Sequence, residues 1–545
     1  MFSVKCPTGY GCGVLEGRAI IRTHVLILVS ILMLTGMARS ASAAEQLVAA
    51  ISGQVAADDP HESRTGADFQ YYDHIYDTLV TRDGFDVIPR LARSWSTQDH
   101  QSWSFQIDPA ARFADNRPVT PRDVIYSLCR YQVLTRRMGR EMLGLTHLSA
   151  EAGGRVSLTL SAPYRLLPSA LSLVFIMAAP DDTGEGPQGC DPATVLAGRG
   201  KAHIGSGPYK PAPREATALP DQHVLIPSAH CWRNCAAWPR VVLWSAPDAR
   251  DRLRLLVTGQ ADIMEDVIPV HLPYISKLKG MTLTELPTDR TLLLTFNLRP
   301  KSAGGKPNPV ADIRVRQAIA MALDRHVLVE RGLEGFAGPA WQLAQPGMEG
   351  YLADRPQTMR PDPDQARALL AEAGYGQGLD LTLLLPLTRI TDRPRVADAL
   401  AGMLRAIGIT LTITPVPASE SRARVAKGDF QVMFAGLGLT AGSAMEGYAA
   451  VAGAAEKDSI ANPSGYRNAI LDNLLHQARG ADPSSIPVLT RQATAILDAD
   501  LPMIPLMHIR DLVAHRAGLS LHARDTTRAF GRITSPAMAD ASDGP

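Results

Sequence analysis

The sequence predicts an α/β fold in more than one compact unit, and three observations carry that expectation. Residues 291–298 (TLLLTFNL) form a nearly continuous apolar and β-branched run, the pattern of a strand buried on both faces. Beyond Arg325, helix-like and strand-like segments alternate. At 545 residues the chain is long enough for two or three units with substantial cores.

The chain opens on an address. Arg18, Arg22 and His24 precede the apolar run 25–37, and Ala41-Ser42-Ala43 fits a small-residue cleavage pattern, so residues 1–43 read as a signal peptide. A spanning helix needs about 20 apolar residues, so export with cleavage is expected rather than a membrane anchor. No cysteine stands just after the apolar core, so a lipid-anchored form is not indicated.

Residues 45–60 read as a short strand entering a polar loop, where Asp58-Asp59 are expected to be solvated. A helix is expected over 69–80, with Tyr72, Ile75, Tyr76 and Leu79 on one stripe. Residues 102–107 alternate polar with Trp103, Phe105 and Ile107, a half-buried strand. Thr120 then caps a helix with Pro121 at its first position and Asp123 in its first turn. Residues 156–160 and 241–244 read as further strands, and 248–259 as a helix.

Asp312 stands before Ile313, Val315, Ile319, Ala322 and Leu323, which share one side of a helix, and its charge suits the positive helix end. Helices follow at 364–372, 395–407, 470–479 and 486–500, and strands at 379–385, 409–415 and 429–434, the last running into a Gly-rich loop.

Lys and Arg number 55 against 54 Asp and Glu, a net charge of +1, so no basic field for nucleic acid is implied. Four of the six cysteines lie beyond the leader: Cys129, Cys190, Cys231 and Cys235. An even number in an oxidising compartment favours disulfides. Cys231 and Cys235 share one short loop and are expected as a bridge, leaving Cys129 with Cys190; three pairings stay open from sequence. His230 beside Cys231 and Cys235 lacks the second ligand pair of a zinc site, so no metal and no cofactor is expected. No G-x-S-x-G elbow, H-E-x-x-H or Rossmann fingerprint occurs, and no enzyme is expected.

Several separated motifs share one resemblance. They are FNLR followed by DIRVRQAIAMALDR, the lattice IPRLARSW…WSFQI…FADNRPVTPRDV, IGSGPYK, LLVTGQADI, PDPDQARALLAEAGY and LPMIPLMH. Together they resemble the large extracytoplasmic solute-binding proteins of ABC importers, the peptide/nickel-type family 5. The resemblance implies a two-lobed periplasmic binding protein fold of type II, of the large cluster with an extra subdomain, whose lobes are joined by hinge strands. It implies a first lobe over 44–289 with 81–204 inserted, a second lobe over 290–507, and a return through 508–545. It further implies a monomer in the periplasm that captures a small-molecule or peptide-like ligand and delivers it to permease subunits. A secreted hydrolase and a sensory binding protein without a transporter are the competing readings.

In peptide binders of this family an Asp after a Gly-Trp holds the peptide amine. Here the strand runs into Ala435–Ser443 without Trp, and no carboxylate follows until Glu446. A buried ammonium without a countercharge costs several kcal/mol, so a neutral or anionic solute or a chelated metal is expected rather than a peptide held in that way. Tyr71, Tyr72, Arg290 and Trp341, with Gly436, Leu437, Gly438 and Thr440 of the loop, are the expected lining residues, chosen for position and chemistry.

Overall fold

The structure is a computed structural model that describes residues 46–521, except 64, 136–143, 181–203, 214–218, 234, 302–304, 306, 357–358, 388–392, 455–461 and 520. The expected signal peptide, Cys190 and residues 522–545 of the expected return therefore lie outside the described residues.

Among the described residues eleven strands form one large sheet. Along the chain they are β1 (Leu47–Ile51), β2 (Tyr209–Pro211), β3 (Gln222–Pro227), β4 (Val241–Ser245), β5 (Ile263–Met264) and β6 (Met281–Phe296). The remainder are β7 (Ala337–Pro339), β8 (Leu379–Leu387), β9 (Ile409–Pro417), β10 (Val432–Gly438) and β11 (Met503–Arg516). Their spatial order is β2-β3-β4-β1-β5-β11-β6-β10-β8-β9, with β7 added to β11. β1 pairs in parallel with β4 and β5 at one end, and β8 in parallel with β9 and β10 at the other.

The two long strands in the middle, β6 and β11, join these halves. They pair antiparallel over 281–287 with 510–516, and again over 291–295 with 503–508. Between Pro287 and Thr291 the register shifts. The break falls where the Thr288 hydroxyl donates to the Ile509 carbonyl at 2.6 Å.

The cores divide accordingly. Leu47, Ile51, Tyr76, Phe175, Tyr209 and Leu243 pack together on the first side. On the second, Leu292, Phe296, Ile319, Leu383, Phe434 and Leu506 form a larger cluster. A third core, with Val80, Phe105, Phe113, Leu128 and Leu167, belongs to the segment 79–178. It lies against a four-stranded sheet ordered Ala92–Thr97, Ser102–Ile107, Arg155–Leu160, Leu145–Glu151. The molecule is thus two-lobed, with the two long strands as the connection.

Local signals start the elements where the sequence places them. Thr120 and Asp123 form a reciprocal capping box on Pro121–Leu134, and Asp312 accepts the Arg314 N–H to cap Ile313–Ala322. The helix Ile486–Asp500 has the expected bounds.

Three expectations are corrected. The helix expected over 69–80 covers Gly66–Asp73 instead, set by a capping box of Thr65 and Asp68. Residues 77–78 and 80–83 are drawn into strands with Phe175–Ile176 and Asp86–Pro89, partners that favour the β-branched Thr78 and Val80. The strand expected at 429–434 runs from Val432 to Gly438, because β6 continues to offer ladder partners, so Gly436 and Gly438 are strand residues rather than loop. Asp59 is not solvated: only 1% exposed, it forms an ion pair with the fully buried Arg130.

Cys231 and Cys235 are bridged, as the short loop suggests. Cys129 is also disulfide-bonded. Among the described residues no helix is long and apolar enough to cross a membrane.

Candidate functional site

The site grows from the end of β10. After Gly438 the chain turns out of the sheet, and the Leu439 N–H donates to the Asp289 carbonyl at 2.9 Å, just where β6 and β11 lose register. Gly442 adopts φ +73°, a left-handed conformation that suits glycine, and its N–H closes the turn on the Leu439 carbonyl at 2.7 Å. Glu349 then anchors the loop. Its N–H donates to Gly442, its carbonyl accepts from Ala444, and its carboxylate accepts from the Ser443 hydroxyl at 2.8 Å.

The segment 79–178 clasps this loop from across the gap. The fully buried Arg82 donates to the Thr440 carbonyl, and the Ser169 hydroxyl donates to Ala441 at 3.3 Å. Arg165 does most. Its guanidinium forms a two-bond ion pair with Glu349, its Nε donates to the Ala478 carbonyl at 2.8 Å, and its backbone N–H to the Arg479 carbonyl at 2.9 Å. Every one of these contacts joins the segment 79–178 to residues between Glu349 and Arg479.

Beside the clasp lies a cavity of about 220 Å³, lined among others by Tyr164, Arg165, Glu446, Asp472, His476 and Arg479. Glu446 stands in the first turn of the helix Ala444–Ala452. Burial raises its carboxyl above the usual range, while Arg479 and Arg165 pull it back down. Among the described residues no hydrogen bond or ion pair holds that carboxyl. The Arg479 guanidinium lies over the Tyr164 ring, 5.5 Å from its centroid. The Tyr164 hydroxyl is driven far above its ordinary value by burial and, less, by Glu446. Asp472 accepts the Ala454 N–H at 2.7 Å.

Of the residues chosen from sequence, Arg290 and the 436–440 stretch come together. Arg290 is the register partner of Gly438, Thr291 of Leu437 and Leu292 of Gly436. Arg290 also faces a counterion, with Asp511 Oδ1 3.8 Å from its Nη1. Gly436 and Gly438 are exposed, whereas Leu437 packs on the core that contains Leu293, Leu343 and Leu439.

The aromatic residues stand elsewhere. Tyr72 is buried and its hydroxyl donates to the Ala57 carbonyl at 2.7 Å. Tyr71 meets Tyr72 and His223 edge-on, at 5.0 and 5.6 Å. Trp341 is buried under the Arg325 guanidinium, 4.3 Å above its ring, with His326 edge-on at 6.0 Å. None of these three shares a hydrogen bond or ring contact with the 436–443 stretch among the described residues.

Sequence reading missed Arg82, Arg165, Ser169 and Glu349, which carry no local motif. Glu446 was visible only as the first carboxylate beyond the glycines. Among the described residues no group of three or more His, Cys, Asp or Glu side chains is placed to hold a metal ion.

Comparison with known proteins agrees with this architecture. The model for bacterial extracellular solute-binding proteins, family 5 (middle), matches residues 86–459. The periplasmic murein peptide-binding protein MppA of Escherichia coli K12 is 23% identical over 394 residues, 66% of this chain and 68% of that one. The dipeptide-binding protein of the same organism is 23% identical over 452 residues, 78% of this chain and 81% of its own. Among solved structures, the binding protein AgaA of A. tumefaciens R10 in complex with agropinic acid superposes with a TM-score of 0.69 at 21% identity, covering 89% of this chain and 96% of that one.

Proposed function

The chain belongs to the bacterial extracellular solute-binding proteins of family 5, and from that premise we propose that it captures a peptide-like or other small polar solute between two closing lobes and delivers it to the permease of an ABC importer. It acts in this reading as an exported periplasmic monomer. The proposed division is a first lobe over 44–289 with 81–204 inserted, a second over 290–507, and a return through 508–545.

The observation that carries the reading is the coincidence of hinge and clasp. β6 and β11 lose register at one level, between Pro287 and Thr291. At that same level the loop after β10 is held from the other side by Arg82, Arg165 and Ser169. Strands with a shared break bend there at low cost, and polar side chains across the gap make and break as a set. The relatives support a polar solute, being named for a murein peptide and a dipeptide, and the solved neighbour holds agropinic acid. The proposed lining is Arg290 with Gly436, Leu437, Gly438 and Thr440. Tyr71, Tyr72 and Trp341 make no hydrogen bond or ring contact with that stretch among the described residues, so the proposed lining leaves them out.

Thermal melting and small-angle scattering test this with a panel of dipeptides, an opine, a nickel chelate and a sugar conjugate. A ligand should raise the melting temperature and shrink the radius of gyration together. A panel that moves neither quantity would overturn the reading.

A further inference from the structure

Arg325 carries a buried charge that no carboxylate meets among the described residues. It opens the helix Arg325–Leu333, is 6% exposed, and spends its Nε–H on the Pro505 carbonyl of β11 at 2.9 Å. Its Nη1 is buried and finds no hydrogen-bond acceptor among the described residues. The nearby acids are engaged elsewhere. Asp324 caps the helix by accepting the Val327 N–H at 3.0 Å, and Asp498 gives both oxygens to Arg355, at 2.5 and 2.7 Å. Burial and then the Arg355 charge lower the Arg325 pKa to about 10, with Asp498 pulling the other way, so the group stays cationic at neutral pH. The Trp341 ring lies 4.3 Å beneath the guanidinium carbon. Its indole Nε1, in a residue only 5% exposed, is a second buried donor without an acceptor among the described residues.

Burying a cation costs several kcal/mol unless an opposite charge meets it. The face of Trp341 offsets part of that cost, but it leaves both N–H groups unmet. A neutral acceptor satisfies the donors and brings no charge; an anion does both. We propose that Arg325 and Trp341 hold a small monovalent anion of the halide class, with Arg325 Nη1 and Trp341 Nε1 both donating to it. The two nitrogens belong to groups whose centres stand 4.3 Å apart, so one acceptor about 3 Å from each can serve both. A single charge favours a halide over a sulfate or a phosphate, because the cost of desolvating an ion rises with the square of its charge. Entry is from the side of His326, which is exposed and meets Trp341 edge-on at 6.0 Å. The anion thus ties the start of the helix to the chain just after β7 and, through the Arg325 Nε–H, to β11. Neither Arg325 nor Trp341 bonds the 436–443 stretch among the described residues, so the site is separate from the proposed solute lining.

Thermal melting with sodium bromide exchanged for sodium gluconate at constant ionic strength tests this, since screening is then unchanged. The melting temperature of the parent should rise saturably with bromide. Trp341→Phe keeps a ring under Arg325 and removes the indole N–H. It should need about tenfold more bromide for the same rise, the loss of one hydrogen bond to a charged group. Bromide is also visible by anomalous scattering, and crystals of the parent should show a peak about 3 Å from both Arg325 Nη1 and Trp341 Nε1. That readout uses the unaltered protein, so the test does not depend on the variant folding. A melting temperature that ignores bromide overturns the inference, as does a crystal in which bromide appears only elsewhere. A peak at the two nitrogens with no melting response marks an adventitious ion only, and overturns it too. Equal bromide dependence in parent and Trp341→Phe assigns the effect to another site. None of these outcomes bears on the solute-binding reading.

Discussion

Arg165 and Glu349, 184 residues apart, meet in a two-bond ion pair across the gap between the segment 79–178 and the second lobe. The Arg165 side chain is 5% exposed and that of Glu349 28%, so the pair is neither free in solvent nor sealed in a core. A fixed fork of donors on a carboxylate sets direction as well as attraction. In the proposed division of the lobes, opening has to break it.

Arg165→Ala and Glu349→Ala should therefore each weaken ligand affinity by about tenfold, the loss of roughly 1–2 kcal/mol from the closed state. The radius of gyration of the liganded protein should rise. The double variant should be no worse than the worse single one, because the same contact is lost. Affinities within twofold of the parent in both single variants would show that the pair does not favour closure.

Asp59 and Arg130 give a stability prediction. Burial pushes the Asp59 carboxyl up, but the Arg130 hydrogen bond and charge outweigh it and hold the pKa at about 2. Asp59→Ala takes the carboxylate away from a fully buried guanidinium, at a cost of about 3–5 kcal/mol. The pH dependence follows from the depressed value. The contribution is complete above the ordinary pKa of 3.8 and is lost as pH falls through about 2. Urea melts of parent and Asp59→Asn between pH 2 and 5 should converge at the acid end.

His508 gives the opposite kind of group, a base that stays neutral. Burial, and then Arg510, lower its pKa from 6.5 to about 4, and its Nδ1 pairs with the Thr291 hydroxyl at 2.9 Å beside the register break. A base with a depressed folded pKa favours folding above its unfolded value, and that contribution declines as pH falls from 6.5 towards 4. Melting temperature should drop over that window, and less so in His508→Gln. Identical pH profiles would remove His508 from the account.

The disulfide loop positions a tryptophan. Between Cys231 and Cys235, Trp232 sends its indole N–H to Asp77 at 3.2 Å, and Asp77 also accepts from Arg90 at 2.6 Å and Ser206 at 2.8 Å. Closing so short a loop restricts the unfolded chain by roughly 2 kcal/mol in the entropy model. Cys231→Ser with Cys235→Ser should lower the first melting transition by a few degrees and change tryptophan emission. An unaltered emission spectrum would mean that Trp232 docks without the bridge.

What the sequence determined by itself was whatever a short stretch encodes completely. The capping box of Thr120 and Asp123 needs only residues three apart, and the Asp312 cap only a neighbouring N–H. The helix Ile486–Asp500 and the start of β9 at Ile409 are legible from period and a preceding turn in the same way. The fold class followed from such pieces, and the family from their wording.

Tertiary structure alone decided the end of β10, the burial of Asp59 and the make-up of the clasp. β10 extends to Gly438 because β6, far away in sequence, offers ladder partners down to Arg290. Asp59 is buried because Arg130 reaches it from 71 residues away. Arg82 reaches Thr440 across 358 residues, and Glu349 reaches Ser443 across 94. An arginine carries no sign of whether its charge meets water, a carbonyl or a carboxylate. That outcome depends on which distant backbone the packed cores bring within about 3 Å, since hydrogen bonds and ion pairs weaken steeply beyond that reach.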